Sequence, residues 1–189
     1  MNGKVIILSA PSGSGKSTII SALMKQGDIN MQFSVSATNR APRGEEVNGR
    51  DYHFLSDADF RSEIDADAFL EYEEVYPGRF YGTLKSEIDR IAAADSNAVM
   101  DIDVNGALRV KDKLGDRAIS IFIQPPSIDE LRRRLESRAT DSPESIDARI
   151  DRAKYELDQA PRFDARIIND DLERAVADAR RVILDFLNK

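Results

Sequence analysis

The sequence predicts an α/β fold in which a parallel sheet is covered by helices on both faces. Apolar runs alternate with helical patterns along the 189 residues, and the first run, residues 4–8, has no polar alternation. Such a run is typical of a parallel strand that is buried on both faces. Regular alternation of strands and helices indicates a parallel sheet between helical layers. The length suits one domain, which we expect to span residues 3–187.

The N-terminal part of the chain follows this alternation and then departs from it. A helix is predicted over 16–25 with its end near Gly27, and a strand is predicted over 32–36. Residues 34–84 break the alternation and predict an inserted lobe. Within it we expect a strand over 51–55, a helix opened by Ser56, and an antiparallel strand pair over 69–75 and 78–82.

The C-terminal part returns to alternation and carries clear helix-start signals. Ser127 with Glu130 forms a capping-box pattern, and Ser142-Pro143 places an N-cap before a proline. The predicted elements are helices over 84–94, 104–114, 128–138 and 143–159 and strands over 97–102, 118–123 and 165–169. The apolar stripe of a closing helix consists of Leu172, Val176, Ala179, Ile183 and Phe186.

Composition and charge restrict the classes of function. The sequence contains no cysteine, which excludes disulfides and thiolate zinc sites and favours a cytoplasmic location. No apolar stretch reaches membrane-spanning length, so we expect no membrane partner. The net charge of −7 disfavours a nucleic-acid binder, which would present a broad basic face. We expect a small anion in a local basic pocket.

A phosphate-binding motif lies between the first predicted strand and the first predicted helix. The P-loop pattern covers Ala10, Pro11, Ser12, Gly13, Ser14, Gly15, Lys16 and Ser17, with Thr18 directly after it. The backbone N–H groups of such a loop surround a phosphate, the lysine reaches the β- and γ-oxygens, and the Ser17 hydroxyl can bind Mg²⁺. The alternative is a glycine- and serine-rich surface loop. At Ala10, a left-handed conformation would be strained, whereas a negative φ would not.

Further motifs, in order along the chain, resemble those of guanylate kinases. They are SVSATNRAPRGEEVNGRDY (34–52), FLEYEEV with GRFYGT (69–83), VMDIDVNG (99–106), PPSIDELRRRLESR (125–138) and IIND (167–170). The resemblance implies phosphorylation of GMP to GDP, and of dGMP as a further acceptor, with ATP as co-substrate and Mg²⁺ as cofactor. It also implies a P-loop core (about 1–33, 85–124 and 160–189), a mixed α/β nucleotide-binding lobe (about 34–84) and a helical lid (about 125–159).

The resemblance places the phosphate of GMP against two arginines and two tyrosines of the lobe. These residues are Arg40, Arg43, Tyr52 and Tyr81. The chemistry agrees, because arginine forks suit phosphate oxygens and phenolic hydroxyls add neutral donors. The alternative for any one of them alone is an ordinary surface side chain.

The resemblance assigns recognition of the guanine base to one carboxylate and two hydroxyls. Glu71 matches the guanine-reading glutamate, and Ser36 and Thr83 match the hydroxyl positions. A carboxylate accepts from the N1 and N2 donors of guanine, whereas adenine would leave it buried without donors. The alternatives are a solvated strand face for Glu71 and a helix N-cap for Thr83.

Asp101 and Asp103 lie at the C-terminal end of a predicted core strand, where parallel α/β folds place ligand groups. The resemblance puts Asp101 at the acceptor and among the groups that surround the metal through water. We expect Asp103 to fix loop geometry and His53, the one histidine, to be structural.

The predicted lid carries a dense group of arginines in a chain that is acidic overall. Arg134, Arg138 and Arg149 match the lid arginines that close over the ATP phosphates, and Asn169 matches a position near adenine. A solvated basic face is the alternative. With Lys16, these arginines are expected to catalyse in-line transfer through positioning and electrostatic stabilisation.

Three positions depart from the family pattern, and one rival function remains. Glu45 replaces a glycine, Asn39 replaces a threonine, and Ala139 replaces the glycine after Arg138. The rival is an inactive member that uses the lobe to recognise peptides, which the complete P-loop and the lid arginines disfavour. The sequence leaves open whether the chain is a monomer or a homo-oligomer.

Overall fold

The computed structural model describes residues 3–137 and 142–189. Strands and helices alternate along most of this part of the chain, and short 3₁₀ turns precede the last two strands. In chain order the elements are β1 (Val5–Ser9), α1 (Lys16–Gln26), β2 (Met31–Phe33), β3 (Ala37–Thr38), β4 (His53–Phe54), α2 (Asp57–Asp65), β5 (Phe69–Tyr76), β6 (Arg79–Leu84), α3 (Lys85–Ala93), β7 (Asn97–Asp101), α4 (Val104–Leu114), β8 (Ala118–Gln124), α5 (Ile128–Glu136), α6 (Pro143–Gln159), β9 (Ala165–Ile168) and α7 (Leu172–Leu187).

The strands form two sheets. The first has five strands in the order β2-β7-β1-β8-β9, and the second has four in the order β4-β3-β6-β5. In the first sheet β2 pairs in parallel with β7, and β8 pairs in parallel with β9. Every residue of β1 is buried, as expected of a strand covered on both faces. The predicted α/β class, a parallel sheet flanked by helices, is confirmed.

The chain forms two compact units. The first comprises Met1–Val5 and Met31–Met100, and the second comprises Ile6–Asn30 and Asp101–Lys189. In the first unit, β5 and β6 form the antiparallel hairpin that the sequence predicted, with Gly78 at a φ of 72° in its turn. Among the residues described, no helix has the length and apolar character needed to cross a bilayer.

Each unit has an apolar cluster that packs against segments carrying predicted site residues. In the first, Phe60 of α2 stacks on Phe69 and Phe80, with ring centroids 4.4 and 5.5 Å apart. This stack fixes β5 and β6 against the helix. In the second, α5 and α6 share a buried cluster of Leu131, Leu135, Ile146, Ile150 and Ala153. The two arginine-bearing helices therefore pack as a pair.

The predicted helix signals are found where the sequence places them. The hydroxyls of Ser56, Ser127 and Ser142 each accept a hydrogen bond from the backbone N–H three residues later. Gly27 ends α1 with a φ of 66°, a left-handed conformation that glycine adopts without strain. Local capping chemistry therefore defines these helix ends.

Three sequence-based predictions were wrong in detail. The strand predicted over 32–36 ends at Phe33, because the Val35 N–H donates to a side chain, Glu87 Oε1, at 3.0 Å. The strand predicted over 51–55 is shortened to His53–Phe54, because Tyr52 O accepts from Gly49 N–H in a turn. Leu172 is 42% exposed, since it occupies the first turn of α7, before the face that packs on the core.

Candidate functional site

The predicted P-loop connects the end of a buried strand to the start of a helix. Gly13 and Gly15 have φ angles of 92° and 87°, in the left-handed region that favours glycine. Among non-glycine residues of the described ranges, only Asp67 and Asp95 have a positive φ. Ala10 is therefore unstrained, and alanine in place of the first glycine is compatible with this loop.

Close neighbours also leave little room for a side chain at either glycine. A Cβ at Gly13 would lie 3.0 Å from Cδ2 of Leu135 on α5. A Cβ at Gly15 would lie 2.3 Å from Nδ2 of Asn169, which is far inside van der Waals contact. The loop is thus packed between α5 and the segment that follows β9.

Donor groups converge at the start of α1. Lys16 is its first residue, and the Lys16 ammonium forms an ion pair with the carboxylate of Asp101 at the end of β7. Ser17 and Thr18 follow as exposed residues, and the N-cap Gly15 provides no side-chain acceptor. The N–H groups of a first helical turn lack intrahelical partners and carry partial positive charge. An ammonium, hydroxyls and backbone N–H groups together suit a phosphate chain.

Asp103 has the structural role that the sequence predicted for it. It is the N-cap of α4, and Oδ1 accepts from the N–H groups of Asn105 and Gly106 at 2.9 and 3.1 Å. The carboxylate thereby sets the turn between β7 and α4. Asp101, two residues earlier, is left at the strand end beside Lys16.

One predicted lid arginine contacts the P-loop, and another contacts Asn169, the residue after β9. Arg149 Nη1 donates to Ser12 Oγ of the P-loop at 3.1 Å. Arg134 Nε donates to Glu130 Oε1 at 2.8 Å, and Nη2 donates to the Asn169 carbonyl at 3.0 Å. The predicted site residue Arg138 and the departure Ala139 lie outside the described residues.

The other arginines of α5 pair with nearby carboxylates. Arg132 Nη2 lies 2.7 Å from Asp147 Oδ1 of α6, and Arg133 pairs with Glu130. The hydrogen bond from Arg134 lowers the pKa of Glu130, although burial opposes the shift. Arg132 and Arg133 therefore belong to a solvated basic face, the alternative that the sequence left open. Arg134 instead donates to the Asn169 carbonyl.

Two of the three predicted base-reading residues form a buried pair in the four-stranded sheet of the first unit. Glu71 on β5 and Thr83 on β6 are register partners, 5% and 1% exposed. Thr83 Oγ1 donates to Glu71 Oε1 at 2.9 Å. The N-cap of α3 is Leu84, so the alternative of Thr83 as a helix cap is wrong. The solvated strand face considered for Glu71 is also wrong.

A glycine allows this strand pair to approach closely. A Cβ on Gly82 would lie 2.7 Å from the Glu71 carbonyl oxygen and 2.8 Å from Cβ of Tyr72. Since backbone atoms cannot move aside as a flexible side chain can, a larger residue here would separate the strands. Gly82 thereby supports the register that pairs Glu71 with Thr83.

Three of the predicted phosphate-binding residues cluster in the same unit. Arg40 Nε donates to Tyr81 Oη at 3.1 Å, and the Arg40 guanidinium lies 4.8 Å from the ring centroid of Tyr52. The two tyrosine rings meet edge-on, with centroids 5.9 Å apart. Burial raises the pKa of Tyr52, so its hydroxyl stays a neutral donor.

Two further predicted acceptor-site residues, Arg43 and Ser36, belong to the same unit. Arg43 is exposed, and its backbone N–H donates to Glu46 Oε2 at 2.8 Å. Ser36 is half-buried, and its carbonyl accepts from the His53 N–H at 2.8 Å. His53 Nε2 lies 3.7 Å from Glu87 Oε2, which agrees with the structural role expected for it.

Sequence reasoning missed Glu46, which is central to the arginine–tyrosine cluster. Its two carboxylate oxygens accept from Arg40 Nη1 and Nη2 at 2.6 and 2.8 Å. This bidentate pair raises the pKa of Arg40 and, with the Arg43 N–H, lowers that of Glu46 to about 2. An acidic residue in an irregular loop has no periodic pattern around it, so the pairing of Glu46 with Arg40 could not be predicted from the sequence.

The lowered pKa of Glu46 predicts a pH-dependent stability. The Arg40–Glu46 pair stabilises the folded protein fully at pH values above 4.5, the ordinary pKa of a glutamate. This stabilisation is lost as the pH falls toward about 2, the pKa of Glu46 in the folded protein. We expect the difference in melting temperature between the wild type and Glu46→Gln to shrink from about pH 5 to about pH 2. Glu45→Gln, at the exposed neighbouring position, is the control and should show no such trend. A constant difference across this range would contradict the pairing.

Glu87 was also missed, and here the sequence does carry a signal. It lies among Ile88 and Ile91 on the buried face of α3 and is 4% exposed. Burial raises its pKa, but hydrogen bonds from Arg90 and from the Val35 N–H outweigh this and lower it. An acid within an apolar helical stripe could have been identified as a buried, partnered carboxylate.

Comparison with known proteins agrees with the motifs. The sequence model of the family described as Guanylate kinase matches residues 2–185. The chain belongs to the guanylate kinase family. A protein named Guanylate kinase from Porphyromonas gingivalis is 54% identical over 186 residues, 98% of this chain and 99% of that protein. One from Bacteroides fragilis is 59% identical over 184 residues, 97% of this chain and 90% of that protein.

A solved structure also belongs to the guanylate kinase family. The crystal structure of guanylate kinase from Anaplasma phagocytophilum matches 97% of this chain and 85% of its own, with a TM-score of 0.76 and 29% identity. A shikimate kinase from Bacteroides thetaiotaomicron, 13% identical with a TM-score of 0.51, shares the fold alone. The family predicted from the ordered motifs is confirmed.

Proposed function

We propose that the chain transfers the γ-phosphoryl group of ATP to GMP, and to dGMP as a second acceptor, forming ADP and the nucleoside diphosphate. The observation that carries this proposal is the buried Glu71 carboxylate, held by Thr83 in a chain that also contains a complete P-loop. Membership of the guanylate kinase family supports it. We keep the assignment of residues 34–84 as the acceptor lobe and of residues 125–159 as the lid.

At the donor end, the P-loop would bind the ATP phosphates. Backbone N–H groups of the loop and of the first turn of α1 suit the β-phosphate, and the Lys16 ammonium suits the β- and γ-oxygens. Arg149, which contacts Ser12, and Arg134, beside Asn169, can add charge as the phosphoryl group leaves. We assign Arg138 to this group from its motif alone.

At the acceptor end, Glu71 would accept from N1 and N2 of guanine while Ser36 supplies a hydroxyl and Thr83 holds the carboxylate. Thr83 already donates to Glu71, so this carboxylate is held in one orientation before a ligand arrives. Arg40, Arg43, Tyr52 and Tyr81 form the basic and phenolic set for the GMP phosphate, a combination that suits a dianion.

The donors at the end of β7 and the start of α1 fit Mg²⁺ as the cofactor. This ion takes few protein ligands and usually binds through carboxylate, water and substrate phosphate oxygens. Exposed Ser17, which follows Lys16 in the chain, offers a hydroxyl, and partly exposed Asp101, which pairs with Lys16, offers a carboxylate. When bound, Mg²⁺ would neutralise charge on the phosphate oxygens. No residue is required to form a covalent intermediate, so the chain's contribution is positioning and charge.

The proposal is tested by the acceptor specificity of the wild type and of Glu71→Gln. ADP formation is measured with GMP, AMP, UMP and CMP, and among these four we expect activity with GMP alone. The glutamine replaces an acceptor by a donor that faces a guanine donor, so kcat/KM for GMP should fall by roughly 10²–10⁴.

Glu63→Gln removes a carboxylate charge from α2 of the same unit and should leave GMP kinetics unchanged. Equal wild-type activity with AMP, or no activity with any acceptor, would sink the proposed function; the latter would favour the inactive binding module. Unchanged GMP kinetics in Glu71→Gln would place the base pocket elsewhere.

A further inference from the structure

The side chain of Asn169 is buried against the P-loop. Asn169 is 6% exposed, and its Nδ2 donates to the backbone carbonyl of Ser14 at 2.7 Å. The carbonyl can only accept, so the amide must present its NH₂ group to the loop. The same Nδ2 occupies the space that a Cβ on Gly15 would need. Side chain and loop are therefore complementary in both chemistry and shape.

The hydrogen bond controls the orientation of one peptide group. A trans peptide is planar, and its C=O and N–H point in opposite directions. With the Ser14 carbonyl held toward Asn169, the N–H of Gly15 must point to the other side of the loop. That N–H belongs to the set that a P-loop offers to a phosphate. A flip of this peptide would break a buried hydrogen bond and turn the donor away.

The backbone of Asn169 joins the same loop to α5 and to the sheet. Its N–H donates to the Gln124 carbonyl at 2.9 Å, and its carbonyl accepts from Arg134 Nη2 at 3.0 Å. Asn169 is thus anchored by the end of β8 and by a predicted lid arginine. An anchor fixed on two sides is suited to hold a flexible glycine loop in one conformation.

We propose that Asn169 is a positioning residue for the phosphate chain of the donor nucleotide: it presets the Ser14–Gly15 peptide of the P-loop. This inference deepens the proposed function and rests on it for the identity of the donor. It differs from the adenine-side role that the family resemblance implies for this position. If Asn169 contacts adenine, its loss should weaken the binding of ATP alone. If it positions the P-loop, its loss should weaken the binding of every triphosphate, whatever the base.

The test compares donors with and without adenine. ATP, CTP and inorganic tripolyphosphate are titrated against the wild type and Asn169→Ala in the absence of GMP, so that no transfer follows. Loss of this buried hydrogen bond should weaken the binding of all three donors by a similar factor, about ten- to a hundred-fold. The GMP Kd, titrated separately, should stay within about two-fold.

Controls separate positioning from a loss of folding. Asn188→Ala removes the same side chain from the C-terminal end of α7 and should leave all three donor affinities unchanged. If Asn169→Ala lacks the wild-type circular dichroism spectrum, Asn169→Ser is titrated in its place. Weaker binding of ATP alone would assign Asn169 to adenine and overturn the proposal. Unchanged affinities for all three donors would also overturn it. These affinities do not depend on whether GMP is phosphorylated, so failure here is distinct from failure of the proposed function.

Discussion

Lys16→Met is expected to lower the rate of phosphoryl transfer by about 10²–10³-fold while the fold stays intact. Methionine keeps most of the length of the side chain but removes the ammonium that lies beside Asp101 at the start of α1. That charge is assigned to the oxygens on which negative charge develops during transfer. Turnover is measured by ADP formation at saturating ATP and GMP, and folding by circular dichroism.

The matched control for this variant is Lys25→Met. Lys25 is exposed in the last turn of the same helix, so its loss changes net charge equally without touching the P-loop. It should retain wild-type turnover. Retention of turnover by a folded Lys16→Met protein would mean that residues 10–17 do not bind the transferred phosphoryl group.

Arg149→Ala is expected to reduce kcat by about 10³–10⁵ while the Kd for GMP changes by no more than a few-fold. In the structure Arg149 contacts the P-loop through Ser12 and belongs to the helix pair of the predicted lid. A cation at this position can act on charge that grows as the phosphoryl group leaves ATP. A contact made mainly at that stage lowers the barrier without tightening GMP binding. Single-turnover rates and equilibrium titration are both needed, since KM alone does not separate them.

Lys154→Ala, which removes an exposed cation from the same helix α6, is the control and should leave both quantities unchanged. Arg43→Ala should instead weaken GMP binding, because Arg43 is assigned to the phosphate of GMP. If Arg149→Ala loses GMP affinity and keeps its chemical rate, the roles given to lid and lobe are reversed.

The parts of the fold that depend on local chemistry could be predicted from the sequence. A serine before an apolar helical pattern identified the starts of α2, α5 and α6, and a glycine identified the end of α1. The failure at Leu172 has a physical reason. Periodicity assigns a residue to a helix face, but at the first turn the chain has not yet reached the core, so the side chain stays exposed.

The parts of the candidate site that depend on distant pairs could not be predicted in this way. Asn169 and Ser14 are 155 residues apart in the chain, and their hydrogen bond exists only because the fold brings β9 and the P-loop together. The Arg40–Glu46 pair is closer in sequence but lies in an irregular loop without periodicity. The order of the motifs predicted which residues form the site, whereas the hydrogen-bond partners of those residues are visible only in the structure.

Transfer of a phosphoryl group from a P-loop nucleotide to GMP can be followed by the fate of a radiolabel. ATP labelled in its γ-phosphoryl group is mixed with GMP and the wild-type protein, and the nucleotide products are separated. We expect the label to appear in the β-phosphate of GDP, matched by an equal amount of ADP. Label found in inorganic phosphate, or remaining in ATP while GMP binds, would contradict it.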